Sequence, residues 1–78
     1  MSGGLASVTV DVRGLNCPIP LLKTRKAMAV AAEGASVTVL VTDPDSVLDI
    51  RAFAQIEGFP CELSEAPPGV WCFRLSKP

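Results

Sequence analysis

Cys17 stands in the run Arg13-Gly14-Leu15-Asn16-Cys17-Pro18-Ile19-Pro20, between an alternating pattern and an amphipathic helical one. The chemistry on offer is that of a presented thiol. Pro18 and Pro20 fit the first turn of a helix, where a missing N–H has no intrahelical partner to lose. The sulfur is then expected at or beside the N-cap, facing free N–H groups and the positive end of the helix dipole. That setting favours the thiolate, the reactive form. Gly14 shapes the loop that leads to it. Arg13 before the cysteine, and Lys23, Arg25 and Lys26 after it, give the sulfur a basic neighbourhood suited to an anionic group or an acidic protein patch. Exposed charges are screened over about 8–10 Å, so these four are expected to serve partner recognition more than thiol acidity. Ile19, between the prolines, is expected to face solvent as a further partner contact.

The other residue types narrow this chemistry. The chain has three cysteines, no histidine and no Cys-x-x-Cys pair. Zinc sites built from paired cysteines or Cys/His ligands lack their parts, and so does a Cys–His nucleophilic dyad. A thioredoxin-type dithiol lacks its second sulfur, because position 20 is proline. Cys61 alternates with Phe59 and Leu63 and is expected in the core; Cys72, between Trp71 and Phe73, is expected on the outer sheet face. Asp43, Asp45 and Asp49 read as a helix cap and dipole-complementing acids rather than metal ligands. Neither a metal nor a cofactor is expected.

Stepping outward from the cysteine, Ser7-Val8-Thr9-Val10-Asp11-Val12 alternates with period two and predicts a strand. A helix is predicted over 18–32, stopped by Gly34, with Leu21, Thr24, Met28 and Ala31 on its buried stripe and Leu22 and Ala27 flanking it. Lys23 and Lys26 fall on the opposite arc. A second strand covers 36–42. Asp43-Pro44 then caps and starts a second helix, which Gly58 closes, with Val47, Ile50, Phe53 and Ala54 inward. Strands over 60–65 and 70–76, joined by Ala66-Pro67-Pro68-Gly69, form a hairpin. The order βαβαββ implies a parallel pair with a right-handed crossover plus an antiparallel strand. The second sheet face, with Thr9, Thr38, Leu40, Glu62, Ser64, Cys72 and Arg74, is too polar to bury. Both helices should therefore pack on one face of a mixed four-stranded sheet, giving an α/β two-layer sandwich.

Seventy-eight residues suffice for one small domain, which is expected to span 1–78 with a flexible N-terminus over residues 1–6. The net charge of −1 hides an asymmetry: residues 1–32 carry +3 and residues 33–78 carry −4. That profile does not suit a nucleic-acid binder. No apolar run reaches the ~20 residues of a membrane span, and the N-terminus lacks the basic flank of a signal peptide. A cytoplasmic location is expected.

Asp11-Val12-Arg13-Gly14-Leu15-Asn16-Cys17-Pro18-Ile19-Pro20, with Lys23-Thr24-Arg25-Lys26, Gly34, Thr42-Asp43-Pro44-Asp45-Ser46 and Asp49-Ile50, resembles the TusA/SirA-like sulfur-carrier family. The likeness runs from about Ser7 onward and centres on the Cys-Pro-x-Pro signature. It implies a βαβαββ sandwich like the C-terminal domain of translation initiation factor three. It also implies that Cys17 accepts sulfane sulfur as a persulfide, with Pro18 and Pro20 shaping its turn. The implied donors are a cysteine desulfurase or a rhodanese. The implied acceptors are relay proteins serving transfer-RNA thiolation, molybdenum-cofactor maturation or sulfur oxidation. Cys61 and Cys72 lie outside the signature and inherit no role.

The sequence thus favours a sulfur-relay protein, monomeric with transient complexes, over a stand-alone sulfur- or selenium-handling enzyme, for which acid–base residues are missing. The alternative from another class is a regulatory or interaction module in which Cys17 is a recognition or redox-sensing residue. Leu40 and Cys72, on the open sheet face, are the residues placed to support self-association.

Overall fold

Valines alternating with polar residues build β1 (Ser7–Val12) and β2 (Ser36–Val41), which pair in parallel from Ser7 opposite Ser36 to Val12 opposite Val41. The computed structural model describes residues 7–78, so the N-terminal segment expected over 1–6 lies outside the described residues. Between the two strands runs α1 (Ile19–Val30); α2 (Pro44–Glu57) then leads to β3 (Cys61–Glu65) and β4 (Trp71–Ser76). The last strand inserts between β2 and β3, antiparallel to both, so the sheet order is β1-β2-β4-β3. The fold is the expected βαβαββ two-layer arrangement with a mixed four-stranded sheet.

The core lies between the helices and one sheet face. Val37, Val39 and Val41 of β2 and Phe73 and Leu75 of β4 are fully buried there. From the helices, Met28, Ile50 and Ala54 meet them. Each large apolar side chain so covered stabilises the fold by about 1.5–3 kcal/mol relative to exposure. The outer face follows the register: Thr38 lies opposite Arg74, and Arg74 opposite Glu62, with Arg74 Nε 3.5 Å from Glu62 Oε1. Leu40 and Cys72 are direct partners on that face, both half-buried.

Three sequence expectations need correction here. α1 starts at Ile19 and stops at Val30, because Ala31 turns to ψ 143°. Leu22 does not flank the core but is 53% exposed, whereas Pro20 is buried among the inward residues. Cys61 is exposed although it lies on the helix-facing side, opposite Leu75. The physical reason is that β3 is an edge strand which α2 covers incompletely, leaving an open groove lined by Arg51, Ala54, Gln55, Phe59, Cys61 and Leu63.

The registers also set the two ends of the sheet. Ser7, Ser36 and Ser76 share one end row, and Val12, Val41 and Trp71 share the other. Lys77 fastens the chain at the first end: its N–H donates to the Ala35 carbonyl, its own carbonyl accepts from Gly34 N–H, and its Nζ donates to the Met28 carbonyl at 2.6 Å.

Candidate functional site

The site forms at the Val12–Val41 end, where the loop leaving β1 meets the loop leaving β2. Gly14 has φ +80°, a left-handed conformation that disfavours a side chain. Its N–H donates to Thr42 Oγ1 at 2.8 Å, tying the first loop to the second. Leu15 N–H turns back to the Val12 carbonyl, and Ile19 N–H to the Asn16 carbonyl. Cys17 is therefore held on a closed loop just before Pro18, the N-cap of α1, and the Cys17–Pro18 peptide is cis. One turn into α1, Thr24 Oγ1 donates back to the Pro20 carbonyl at 2.8 Å.

Asp43 is the second fixed point. It caps α2 as expected, accepting from Ser46 N at 3.3 Å and from Ser46 Oγ at 2.8 Å. The same Oδ2 accepts from the Cys17 backbone N–H at 2.9 Å. Pro44 at the helix start and Asp45 in its first turn complete the start, and Gly58 in the left-handed region with Phe59 N–H on the Ala54 carbonyl completes the end.

The electrostatics of the sulfur reverse the expectation. Cys17 is exposed, but its Sγ donates to Asp49 Oδ2 at 3.0 Å. That hydrogen bond, partial loss of water and the nearby charges of Asp49, Asp43 and Asp45 push the thiol above its ordinary range. The predicted basic, thiolate-favouring setting is thus corrected to an acidic one. The helix start has fewer free N–H groups than usual to counter it: Pro18 and Pro20 have none, and that of Ile19 is spent on Asn16.

The candidate partner residues are dispersed. Ile19 is 44% exposed beside the cysteine. Lys23, Arg25 and Lys26 are exposed on α1, and Arg25 shares a groove between the helices with Leu21, Asp49 and Phe53. Arg13 is already engaged: its Nε and Nη2 fork onto Asp11 at 2.9 and 2.7 Å, and the Asp11 carboxyl is lowered to about 2 by that side-chain bond and the Arg13 N–H. Cys61 opens β3, at the sheet edge opposite β1, and Cys72 lies on the outer face, so neither shares the Cys17 loop. Among the described residues no three His, Cys, Asp or Glu side chains cluster in a metal-holding group, and no helix is long and apolar enough to cross a membrane.

Sequence reasoning missed two contributors. Thr42 gave no signal of its link to Gly14. Asp49 lies beyond the first turn, where dipole complementation fades, and stands in a row with Phe53 and Ile56 at spacings that share a helix flank. That misfit was the available clue.

A family model described as Sulfurtransferase TusA matches residues 8–77. The chain belongs to the TusA family of sulfur carriers. A sulfur carrier protein TusA of Allochromatium vinosum is 37% identical over 68 residues, 87% of this chain and 90% of that one. A putative sulfur carrier protein of Neisseria meningitidis serogroup A is 44% identical over 52 residues, 67% of this chain and 70% of that one. The crystal structure of a SirA-like protein from Desulfitobacterium hafniense superposes with a TM-score of 0.79 at 33% identity, covering 87% of this chain and 93% of that one. As a TusA-family chain it keeps the Cys-Pro-x-Pro signature intact at 17–20.

Proposed function

We propose that this TusA-family protein carries sulfane sulfur on Cys17 as a persulfide. It takes the sulfur from a cysteine desulfurase or a rhodanese in the cytoplasm and passes it to a relay acceptor serving transfer-RNA thiolation, molybdenum-cofactor maturation or sulfur oxidation. The observation that carries this reading is the exposed Cys17 on a loop pinned at both Gly14 and its own N–H, with the other two thiols on other surfaces. In uptake, Sγ bonds to the outer sulfur of a donor persulfide, the donor's S–S bond breaks, and the donor returns as a thiol. A neighbouring thiol would instead expel the cargo as sulfide and close a disulfide; the placement of Cys61 and Cys72 avoids that. Gly14, Pro18 and Pro20 set the loop, while Ile19, Lys23, Arg25, Lys26 and Arg13 supply separate docking contacts of a monomer that binds transiently. Residues 1–78 act as one domain.

The acidic setting of the thiol favours a second reading, an interaction module in which Cys17 recognises a partner without covalent chemistry. One experiment separates the two. The protein is incubated with a cysteine desulfurase and cysteine, and its intact mass is recorded with and without reductant. A reducible gain of one sulfur atom, lost in Cys17→Ser but kept in Cys61→Ser and Cys72→Ser, supports the carrier. No gain with desulfurase or rhodanese, and partner binding that survives Cys17→Ser, supports the module.

A further inference from the structure

On the carrier reading, Cys17 gives up a proton each time it takes up sulfur, and that proton needs a destination. Sγ donates its hydrogen to Asp49 Oδ2 at 3.0 Å, within the reach a general base requires. The charged groups acting on the sulfur are Asp49 and Asp45 from α2 and Asp43 from its cap; on the α1 side Arg25 borders the same groove as Asp49. Asp49 has no structural duty that explains its position. The cap of α2 is Asp43, the first-turn acid is Asp45, and the hydrogen bond that Asp49 makes among the described residues is to the sulfur. A carboxylate against a nucleophilic thiol suppresses the thiolate, which hinders a carrier unless the same carboxylate also accepts the proton.

We propose that Asp49 is a catalytic residue of sulfur transfer, the base that takes the Cys17 proton during uptake and keeps the thiol protonated between transfers. Sγ attacks the outer sulfur of the donor R–S–SH. The Sγ–S bond forms as the donor S–S bond breaks, and the electron pair leaves on the donor's inner sulfur. The Cys17 proton passes to Asp49 Oδ2 and then to the released R–S⁻, giving R–SH. The outer sulfur keeps its own hydrogen, and no oxidant or reductant is consumed. Between transfers the protonated sulfur is a poor target for oxidants and alkylating agents, since the thiolate is the reactive form.

The test uses the full chain carrying Cys61→Ser and Cys72→Ser, so that every signal reports Cys17. Two rates are compared in this background with and without Asp49→Asn: alkylation by iodoacetamide at pH 7, and sulfur uptake from glutathione persulfide followed by intact mass. Alkylation draws on pre-formed thiolate and therefore follows mainly the acidity of the thiol. Asp49→Asn is expected to speed alkylation several-fold while slowing uptake roughly ten- to a hundredfold. Asp49→Glu restores part of the uptake, which separates loss of the base from damage to the fold. Both rates rising together would make Asp49 a plain electrostatic brake and overturn the proposal. Both falling together, with no rescue by Asp49→Glu, would make it a structural residue and overturn it equally. Failure of the Asp49-containing protein to take sulfur from either glutathione persulfide or a desulfurase with cysteine would sink the carrier reading itself, and the proposal with it.

Discussion

The Asp43 carboxylate joins two loops through one oxygen: Oδ2 accepts from the Cys17 backbone N–H at 2.9 Å while it accepts from the Ser46 hydroxyl at 2.8 Å. The start of α2 and the cysteine loop are thereby one unit. On the proposed carrier reading, a partner docking at Cys17 would meet a corner already shaped, with little ordering left to accompany binding.

Asp43→Ala should therefore act twice. Loss of the cap lowers the melting temperature by about 4–8 °C, the shift of a typical N-cap deletion in a domain of this size. Amide exchange at Cys17 rises at the same time, because its acceptor is gone. The Ser46 hydroxyl first, and then the Cys17 N–H, hold the Asp43 carboxyl below its ordinary value. A carboxyl depressed in the folded state adds stability above its unfolded pKa and loses it as pH falls through the folded one. Acid unfolding of the Asp43→Ala protein should accordingly show a weaker dependence on pH below about 4. Unchanged melting and unchanged exchange would rule out the bridge.

The thiols of Cys17 and Cys61 should react slowly for exposed groups. About 3% of an ordinary thiol is ionised at pH 7. Cys17 stays below that because of its bond to Asp49, and burial pushes the Cys61 thiol up despite the opposing charge of Arg51. Iodoacetamide labelling followed by peptide mass mapping should show Cys17 slower than free cysteine at pH 7 and rising into the alkaline range. Faster labelling of Cys17 than of free cysteine would contradict the acidic setting.

Arg13 has a local effect that titration can isolate. In Arg13→Ala the Asp11 carboxyl should rise from about 2 only part of the way to its ordinary value, because the backbone N–H of residue 13 still donates to it; NMR of the carboxyl carbon reads the shift. The pair is exposed and screened, so the melting temperature at neutral pH should barely move. What stability it adds is present above the unfolded pKa and is lost as pH falls toward 2. A large neutral-pH destabilisation would mean that Arg13 does more than fork onto Asp11.

Core truncation should reach the site through α2, which carries Asp49 and is capped by Asp43. Ile50 and Phe73 are fully buried. Ile50→Val should destabilise by about 0.5–1.5 kcal/mol and Phe73→Ala by about 3–5 kcal/mol, read from urea midpoints. A chain of this length has a total stability of roughly 4–12 kcal/mol, so Phe73→Ala leaves it marginal while Ile50→Val remains folded.

The local features of the chain were legible. Valine alternation placed β1 and β2, Asp43-Pro44 and Gly58 bounded α2, and the outer-face residues predicted from period two are those the register places there. What failed was tertiary. Cys61 lies on the side its alternation indicated, yet it is exposed because nothing in its neighbours tells that β4, not β3, takes the inner place beside β2. The sulfur's surroundings were misread for the same reason. Nearby sequence is basic, whereas the groups that face the thiol come from positions 26 and 32 residues further along. Leu22 shows the limit of a helical stripe, since one step of rotation separates a flank from solvent.

The end rows of the sheet give the molecule a handle and a head. Ser7 and Lys77 lie at one end and Cys17 follows Val12 at the other, separated by the length of a six-residue strand, about 17–20 Å. A dye, bead or fused domain attached after Pro78 would therefore trail behind the sulfur rather than crowd it. The same chain can be tethered at one pole and still leave its thiol open at the other.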